Sequence, residues 1–354
     1  MDIYRIDSHK LMYHVDRVNR WEKGETVAPV YMEIAPSGGC NHRCIFCALD
    51  YIGYDHIFLD TKTLKNTIKD AAKCGVKSVM FAGEGEPLLH KDIAEIISFT
   101  KKTGIDVAVT TNAVFLKKDL LEKILKHLSW IRISLNAATA KNYQKIHRCM
   151  KGDFKKVISN LKTAVKVKRK NRLDCAIGVQ ILLIPENKSE IIKLARMLKN
   201  IGVDYLTIKP FSKHPKSRCD ISPKFDYSSF LRLEKNLKKI EDKKFKILFR
   251  SGTMRKLKEE RGYKHCLGLP FWAYISASGD VCACSAYLGD EKFVYGNIYK
   301  KKLSAILKSE RRRKILKMAA NKLNTEDCRE ICRLDEINRY LWEIKNPSKH
   351  INFI

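Results

Sequence analysis

Short apolar runs alternate with helix-period segments from about residue 28 to residue 212. The runs are VYMEIAP (30–36), SVMFAG (78–83), DVAVTTN (106–112), WIRISLN (130–136), CAIGVQILLI (175–184) and YLTIKPF (205–211). They are rich in β-branched residues and nearly continuous in hydrophobicity, as strands covered on both faces must be. Between them, segments 61–74, 90–103, 117–127, 139–170 and 188–200 have the apolar spacing of helices, the fourth reading as two helices. Thr61, Asp92 and Ser189 stand at helix starts, and Gly75, Gly104 and Gly202 where a left-handed residue closes a helix. Six β/α units predict a parallel sheet with right-handed crossovers. A closed barrel takes eight, so the fold class expected is α/β, a partial (β/α)6 TIM-like barrel.

The rhythm stops near residue 212. A Pro/Ser/Lys-rich stretch, 212–229, reads as a crossing loop, followed by a helix over 229–241 and a strand over 246–250. WAYISASGDVCACSAY then predicts a hairpin turning at Ser278-Gly279-Asp280. The expected domains are an N-terminal extension (1–27), the barrel (28–235) and a small α+β extension with its tail (236–354). The apolar tail His350–Ile354 is expected to dock. No run of about 18 apolar residues predicts a membrane span, and the start has no secretory core, which predicts a cytoplasmic protein.

Apolar residues make up 45% of the 354, which excludes a disordered chain. The formal charge of +30 comes mostly from lysines dispersed over helix faces, with denser runs at 166–172 and 308–317. A nucleic-acid partner is admitted but not favoured; an acidic sugar, a nucleotide or a lipid-linked phosphate suits the field equally. Twelve cysteines in a chain with no secretion signal point to metal or redox chemistry rather than disulfides. Eight are grouped, at 40/44/47, 266/282/284 and 328/332, while Cys74, Cys149, Cys175 and Cys219 stand alone and read as fillers. Cys40-x3-Cys44-x2-Cys47 follows the first strand, at the barrel mouth where sites gather. Three thiolates suit either zinc, with His42 as a fourth ligand, or a cubane cluster that keeps one iron open.

This stretch, PSGGCNHRCIFCALDY, resembles the CxxxCxxC loop of the radical SAM superfamily, with the aromatic Phe46 before the third cysteine. Further matches follow in order: FAGEGEPLLH (81–90), TTNA (110–113), RISLNA (132–137) and GVQILLIPEN (178–187), each at a strand end. The resemblance implies a [4Fe–4S] cluster on Cys40, Cys44 and Cys47 whose open iron takes S-adenosylmethionine (SAM). One electron then cleaves the sulfonium, and a 5′-deoxyadenosyl radical takes hydrogen from substrate. It also implies SAM contacts from Phe46, Gly83, Gly85, Glu86, Thr111, Asn112, Ser134, Asn136 and Gln180. Glu86 would accept from the methionine ammonium, and Glu84 stands where the family more often has glycine. Gly38 and Gly39 would let the loop fold around the cluster.

Cys266-x12-Gly279-x4-Cys284, followed by Cys328-x3-Cys332, resembles the SPASM/twitch extension of radical SAM enzymes. It implies one auxiliary [4Fe–4S] cluster on Cys266, Cys284, Cys328 and Cys332, leaving Cys282 over; spacing alone also admits a zinc site held by the four thiolates. A closed cluster of this kind has no iron for SAM and suits electron transfer, which would turn hydrogen abstraction into a two-electron oxidation. The function expected is a radical SAM oxidoreductase fed by flavodoxin or ferredoxin. Its substrate would be small or carrier-linked, a sugar or related metabolite undergoing dehydrogenation, decarboxylation or epimerisation. Only about 28 residues precede the barrel, too few for a peptide-recognition domain; peptide-modifying and RNA-modifying enzymes stand as alternatives. Lys209, His214, Arg250, Trp272 and Tyr274 are candidates for substrate contact, with ordinary packing as the competing reading of each.

Overall fold

A computed structural model describes residue 4 and residues 8–353 other than 220, 222–225 and 228–229. All six expected strands form: β1 (Tyr31–Ile34), β2 (Ser78–Phe81), β3 (Asp106–Thr111), β4 (Trp130–Ser134), β5 (Ala176–Leu183) and β6 (Tyr205–Pro210). They pair in chain order and all in parallel, and β7 (Lys246–Phe249) adds a further parallel strand beside β6. Side chains alternate as the pleat demands. On β4, Ile131 and Ile133 are buried under the helices, while Trp130, Arg132 and Ser134 face the partly open inside.

The intervening helices are α2 (Thr61–Lys73), α3 (Ile93–Lys102), α4 (Lys118–Ile124), α5 (Ala140–His147), α6 (Asp153–Lys170) and α7 (Ile191–Ile201). Segment 139–170 is thus two helices, α5 and α6. Asp60, not Thr61, caps α2, its carboxylate accepting from Thr63 N at 2.7 Å. Asp92 heads α3 but spends its carboxylate on the Thr61 hydroxyl at 2.6 Å, tying α2 to α3. Gly75, Gly104 and Gly202 all have positive φ at helix ends, where a side chain would strain the backbone.

The rest of the chain extends the same sheet from its other edge. β8 (Trp272–Ile275) lies parallel to β1 in the register Tyr31↔Trp272 to Ile34↔Ile275. β9 (Asp280–Cys282) and β10 (Val294–Asn297) follow antiparallel, giving ten strands in the order β10-β9-β8-β1-β2-β3-β4-β5-β6-β7. The hairpin turn is at Ser276–Gly279, with Gly279 at φ 86° and its amide donating to Ser276 O. Helices α8 (Leu231–Lys238), α9 (Ser251–Lys256), α10 (Leu303–Lys308), α11 (Glu310–Asn321) and α12 (Asp335–Lys345) complete the fold. An N-terminal helix, α1 (Val15–Glu22), packs with Val27, Leu267, Phe271 and Leu341 in a second apolar cluster that joins the start of the chain to its C-terminal part.

The expected docking of the tail is corrected. Residues 346–353 are exposed, Phe353 by 84%, and the rings of His350 and Phe353 pair with each other rather than with the body. Ile354, the last residue of that tail, lies outside the described residues. The chain carries no helix long and apolar enough to cross a membrane among the described residues.

Candidate iron–sulfur and SAM site

Inside the barrel, Met80, Ala82 and Ala108 form a small apolar layer against Tyr31 and Trp130. The cysteine loop and the turns that follow β2, β3 and β4 lie at the C-terminal ends of the strands. After β1 the chain forms the cysteine loop, held down by its own backbone. Glu86 N donates to Gly39 O at 2.8 Å, and Arg43 N and Ile45 N donate to His147 O and Ile146 O at the end of α5. The closeness of these segments explains the glycines. A Cβ on Gly85 would lie 2.1 Å from Gly39 O, and one on Gly83 2.5 Å from Ala35 Cβ, so the glycine-rich turn is needed against the cysteine loop itself.

Cys40, Cys44 and Cys47 are half-buried and electrostatically coupled. Burial, with the neighbouring Glu86 carboxylate next, pushes the Cys40 thiol up to about 12, and burial drives Cys44 well above the ordinary thiol range. Three crowded thiolates need a cation, and a cluster's iron supplies it. Polar donors are already aimed at the sulfurs: His42 N lies 3.5 Å from Cys40 Sγ, and the Tyr54 hydroxyl bonds Cys47. His147 Nδ1 lies 3.3 Å from Cys44 Sγ. Since Asn136 N donates to His147 Nε2 at 3.3 Å, the proton of this buried imidazole belongs on Nδ1, facing the sulfur. Sequence reasoning missed His147, which sits 103 residues from Cys44 and inside an ordinary helix.

His42, the alternative fourth ligand, is 1% exposed and packs beneath the loop, with Nε2 at 3.4 Å from Asp153 Oδ2 and its ring edge-on to Tyr143 and His147. Its ring, with Cys44 and His147, offers ligand atoms within 4.8 Å of one another, and so does the set His42, Cys149 and Asp153. Cys149 is thus placed beside this network rather than being a remote filler, whereas Cys175 and Cys219 are buried fillers.

The strand-end residues form one linked shelf. Glu86 is buried, accepting from Leu88 N (3.1 Å), the Thr111 hydroxyl (2.6 Å) and Asn112 N (2.8 Å). Burial nonetheless raises its pKa to about 7, since these bonds only partly offset the lost hydration. Asn112 Nδ2 reaches Asn41 Oδ1 in the cysteine loop at 2.7 Å. Ala113 is held at φ 63°, in the left-handed region that glycine enters more freely. Asn136 is buried and committed to the backbone, its Oδ1 accepting from Leu182 N at 2.7 Å and its Nδ2 donating to Ser134 Oγ at 3.3 Å. Gln180 stands opposite Ser134 on β5 and lines the cavity, and Phe46 sets its ring edge-on to His147 at 5.5 Å.

Cys266, Cys284, Cys328 and Cys332 converge from the hairpin, the segment before it and the segment after α11. Cys284 feels the other three electrostatically, Cys266 feels Cys332 and Cys328, and Cys332 feels Cys328; burial comes first in raising all three, Cys266 to about 12. Again the sulfurs are met by donors: Ala286 N on Cys284 (3.4 Å), Leu334 N on Cys332 (3.3 Å), Asn338 Nδ2 on Cys266 (3.6 Å) and the Tyr287 hydroxyl at 3.2 Å from Cys328. Such bonds stabilise clustered thiolates. Cys282 is buried with its thiol towards Asp280 O at 3.8 Å, and its charged neighbours are Asp280 and Glu84 rather than the four cysteines.

A cavity of about 1430 Å³ is lined by the four-cysteine set and reaches Ala48 and Leu49, just after the third cysteine of the first loop. Lys209 on β6, His214 after it, Arg250 after β7, and Trp272 and Tyr274 on β8 all contribute to its wall, together with Cys266, Cys284, Cys328 and Cys332. Glu84 stands just outside, buried, accepting from Ala277 N in the hairpin at 3.2 Å.

A loop of three crowded thiols and a separate set of four, the latter lining the cavity, are the donor sets that iron–sulfur clusters take. The chain belongs to the radical SAM superfamily: the superfamily profile matches residues 34–198, and SPASM, an iron–sulfur cluster-binding domain, matches residues 266–333. Its cofactors are a [4Fe–4S] cluster, SAM and an auxiliary iron–sulfur cluster, and both thiol sets fit that assignment. A probable GTP 3′,8-cyclase of Saccharolobus solfataricus is 30% identical over 215 residues, 60% of this chain and 66% of the relative. The GTP 3′,8-cyclase of Aquifex aeolicus is 34% identical over 183 residues, 49% of this chain and 53% of the relative. The chain therefore spans less than two thirds of the length of these curated relatives. Among solved structures, Streptococcus suis SuiB bound to S-adenosylmethionine superposes with a TM-score of 0.68 at 20% identity, covering 96% of this chain and 79% of that one. Native anSMEcpe with bound AdoMet and the Kp18Cys peptide gives 0.61 at 16%, covering 88% of each. At these identities the likeness to the solved structures concerns the fold.

Proposed function

We propose that the chain is a radical SAM oxidoreductase that takes hydrogen from a small or carrier-linked substrate, a sugar or related metabolite, in a dehydrogenation, decarboxylation or epimerisation. The observation that carries this reading is the single cavity walled on one side by inward residues of the barrel strands and on the other by the four-cysteine set. When bound, SAM on the three-thiolate cluster supplies a carbon radical that removes hydrogen, and the closed cluster supplies a one-electron relay. The protein's own contribution is to hold and to shield. Cys40, Cys44 and Cys47 would grip the first cluster, with His147 orienting Cys44. Phe46, Gly83, Gly85, Glu86, Thr111, Asn112, Ser134, Asn136 and Gln180 would form the SAM shelf, with Glu86 as acceptor for the ammonium. Cys266, Cys284, Cys328 and Cys332 would hold the second cluster, and Lys209, His214 and Arg250 would orient the substrate.

A flavodoxin or ferredoxin would deliver the electron, in a cytoplasmic setting. A nucleotide cyclisation is the second reading, supported by the 30% identity to the probable GTP 3′,8-cyclase. Anaerobic reconstitution with SAM and dithionite tests the class, with 5′-deoxyadenosine as the product followed. Deuterium carried from a labelled candidate sugar into 5′-deoxyadenosine would support the first reading, and deuterium from labelled GTP the second. Absence of 5′-deoxyadenosine under every condition, candidate substrates included, refutes both.

A further inference from the structure

The inner wall of the cavity is cationic. Lys209 ends β6, Arg132 projects from β4, and Arg250 follows β7. Arg329 and Arg333 reach in from the C-terminal extension. Burial first, then the charges of Arg329, Arg132, Arg250 and Arg333, push the Lys209 ammonium well below its ordinary pKa. Among the strand residues that line the cavity, Glu33 is the only carboxylate, and it is already ion-paired with Arg333. On the C-terminal side, Asp335 and Glu336 are likewise taken, both by Lys256, while Glu259, Glu260, Glu326 and Glu330 also line the cavity but are exposed to solvent.

Two explanations compete for these charges. The first is that they offset the negative charge of thiolate-held clusters. That suits Arg329 and Arg333, which flank Cys328 and Cys332 and feel Cys332 and Cys284 respectively. It does not suit Lys209, whose charged neighbours are all arginines and which has no carboxylate or hydrogen-bond acceptor among the described residues. Arg132 Nε and Trp272 Nε1 are also buried donors with no acceptor among the described residues. A half-buried lysine without an acceptor, lining the same cavity as two unmet donors, is costly unless something anionic joins them.

We propose that the cavity binds a phosphorylated substrate, its phosphate or diphosphate seated between Lys209 and Arg132. This rests on the reading of the cavity as the substrate site. Arginine forks and a lysine point charge are the usual means of gripping phosphate oxygens. The phosphate anchors the molecule by a group remote from the reacting carbon, so one anchor serves a nucleotide-borne or a lipid-borne substrate.

The test titrates the reconstituted holoenzyme, saturated with SAM, by calorimetry. The probes are inorganic pyrophosphate, UDP, geranyl diphosphate and, as neutral control, uridine. Pyrophosphate should bind and uridine should not. Lys209→Gln should weaken pyrophosphate about tenfold or more, and Lys209→Arg should restore it. Iron content equal to wild type in both variants reports the fold. Tighter UDP than geranyl diphosphate assigns a nucleotide carrier, and the reverse a lipid carrier. The proposal is overturned if no diphosphate binds, if Lys209→Gln binds pyrophosphate as wild type does, or if pyrophosphate binds only when SAM is absent, since the cations would then serve the SAM carboxylate. SAM cleavage in the same preparations keeps the two readings apart. Cleavage without anion binding sinks this inference alone, and anion binding without cleavage sinks the proposed function alone.

Discussion

Gly85→Ala tests how the cysteine loop is held. A Cβ there would meet Gly39 O at 2.1 Å, Gly39 C at 2.7 Å and Ser37 O at 2.7 Å, all of them backbone atoms. No rotamer change can relieve that contact, so the turn after β2 and the cysteine loop must part. The bond from Glu86 N to Gly39 O, now 2.8 Å, is then lost. Overpacking of about 1–3 kcal/mol plus roughly 1 kcal/mol for the bond puts the cost near 2–4 kcal/mol. For a chain of this size that is a fall in melting temperature of roughly 3–5 °C. The functional loss should be larger in proportion, because Cys40 directly follows Gly39. A displacement of about 1 Å at a reacting centre costs on the order of a hundredfold in rate. The assay pairs differential scanning fluorimetry with iron content and 5′-deoxyadenosine yield after anaerobic reconstitution. If Gly85→Ala melts with wild type, holds full iron and cleaves SAM at the wild-type rate, the loop-against-turn packing is wrong.

Other expectations follow from single contacts. Glu84 is buried, which raises its pKa from 4.5 to about 7 while the bond from Ala277 N opposes the rise. Between those values the unfolded chain has lost the proton that the folded one keeps, so stability falls as pH rises through this window, by up to about 3 kcal/mol, and levels off above it. Glu84→Gln keeps an acceptor for Ala277 N and should flatten that slope; an unchanged slope in urea melts at pH 5, 6, 7 and 8 would refute the assignment. Cys282→Ala should leave iron content and long-wavelength absorbance unchanged, whereas Cys328→Ala should lose about four iron atoms per chain; equal losses would make Cys282 a ligand. Arg312 is 1% exposed and donates to Leu307 O, Val27 O and Pro270 O. Arg312→Met should cost about 3 kcal/mol or more by stranding three carbonyls, and a melting temperature within a degree of wild type would show that water replaces them.

What was legible in the sequence was local. The six strands announced themselves because parallel strands buried on both faces are continuous apolar runs, and the helix ends because glycine alone enters the left-handed region freely. The cysteine loop was legible because its three thiols lie within eight residues. What the sequence did not disclose depends on residues that only the fold brings together. His147 reaches Cys44 because α5 ends beneath the loop. The cationic wall takes one residue each from β4, β6 and the end of β7 and two from beyond residue 328. Spread along the chain, these read as part of an ordinary lysine and arginine background.

Glu84 shows how a departure from a family pattern acquires a meaning. In the sequence it is only a carboxylate where glycine is more usual. In the fold it bonds Ala277 N in the turn of the hairpin whose strand β8 lies beside β1, and it faces Tyr274 on that strand. The next residue, Gly85, presses on the cysteine loop, and the one after, Glu86, organises Thr111 and Asn112. Three consecutive residues therefore touch the four-cysteine extension, the three-cysteine loop and the proposed SAM shelf in turn. A glycine at 84 would leave the last two contacts intact and remove the first. The substitution therefore bears on how firmly the extension is set against the barrel, and not on SAM chemistry itself. Glu84→Gly should accordingly lower the melting temperature and loosen the hairpin in hydrogen exchange, while the rate of SAM cleavage in the absence of substrate stays at the wild-type level. A loss of that cleavage with the hairpin still protected would place Glu84 in the SAM site instead.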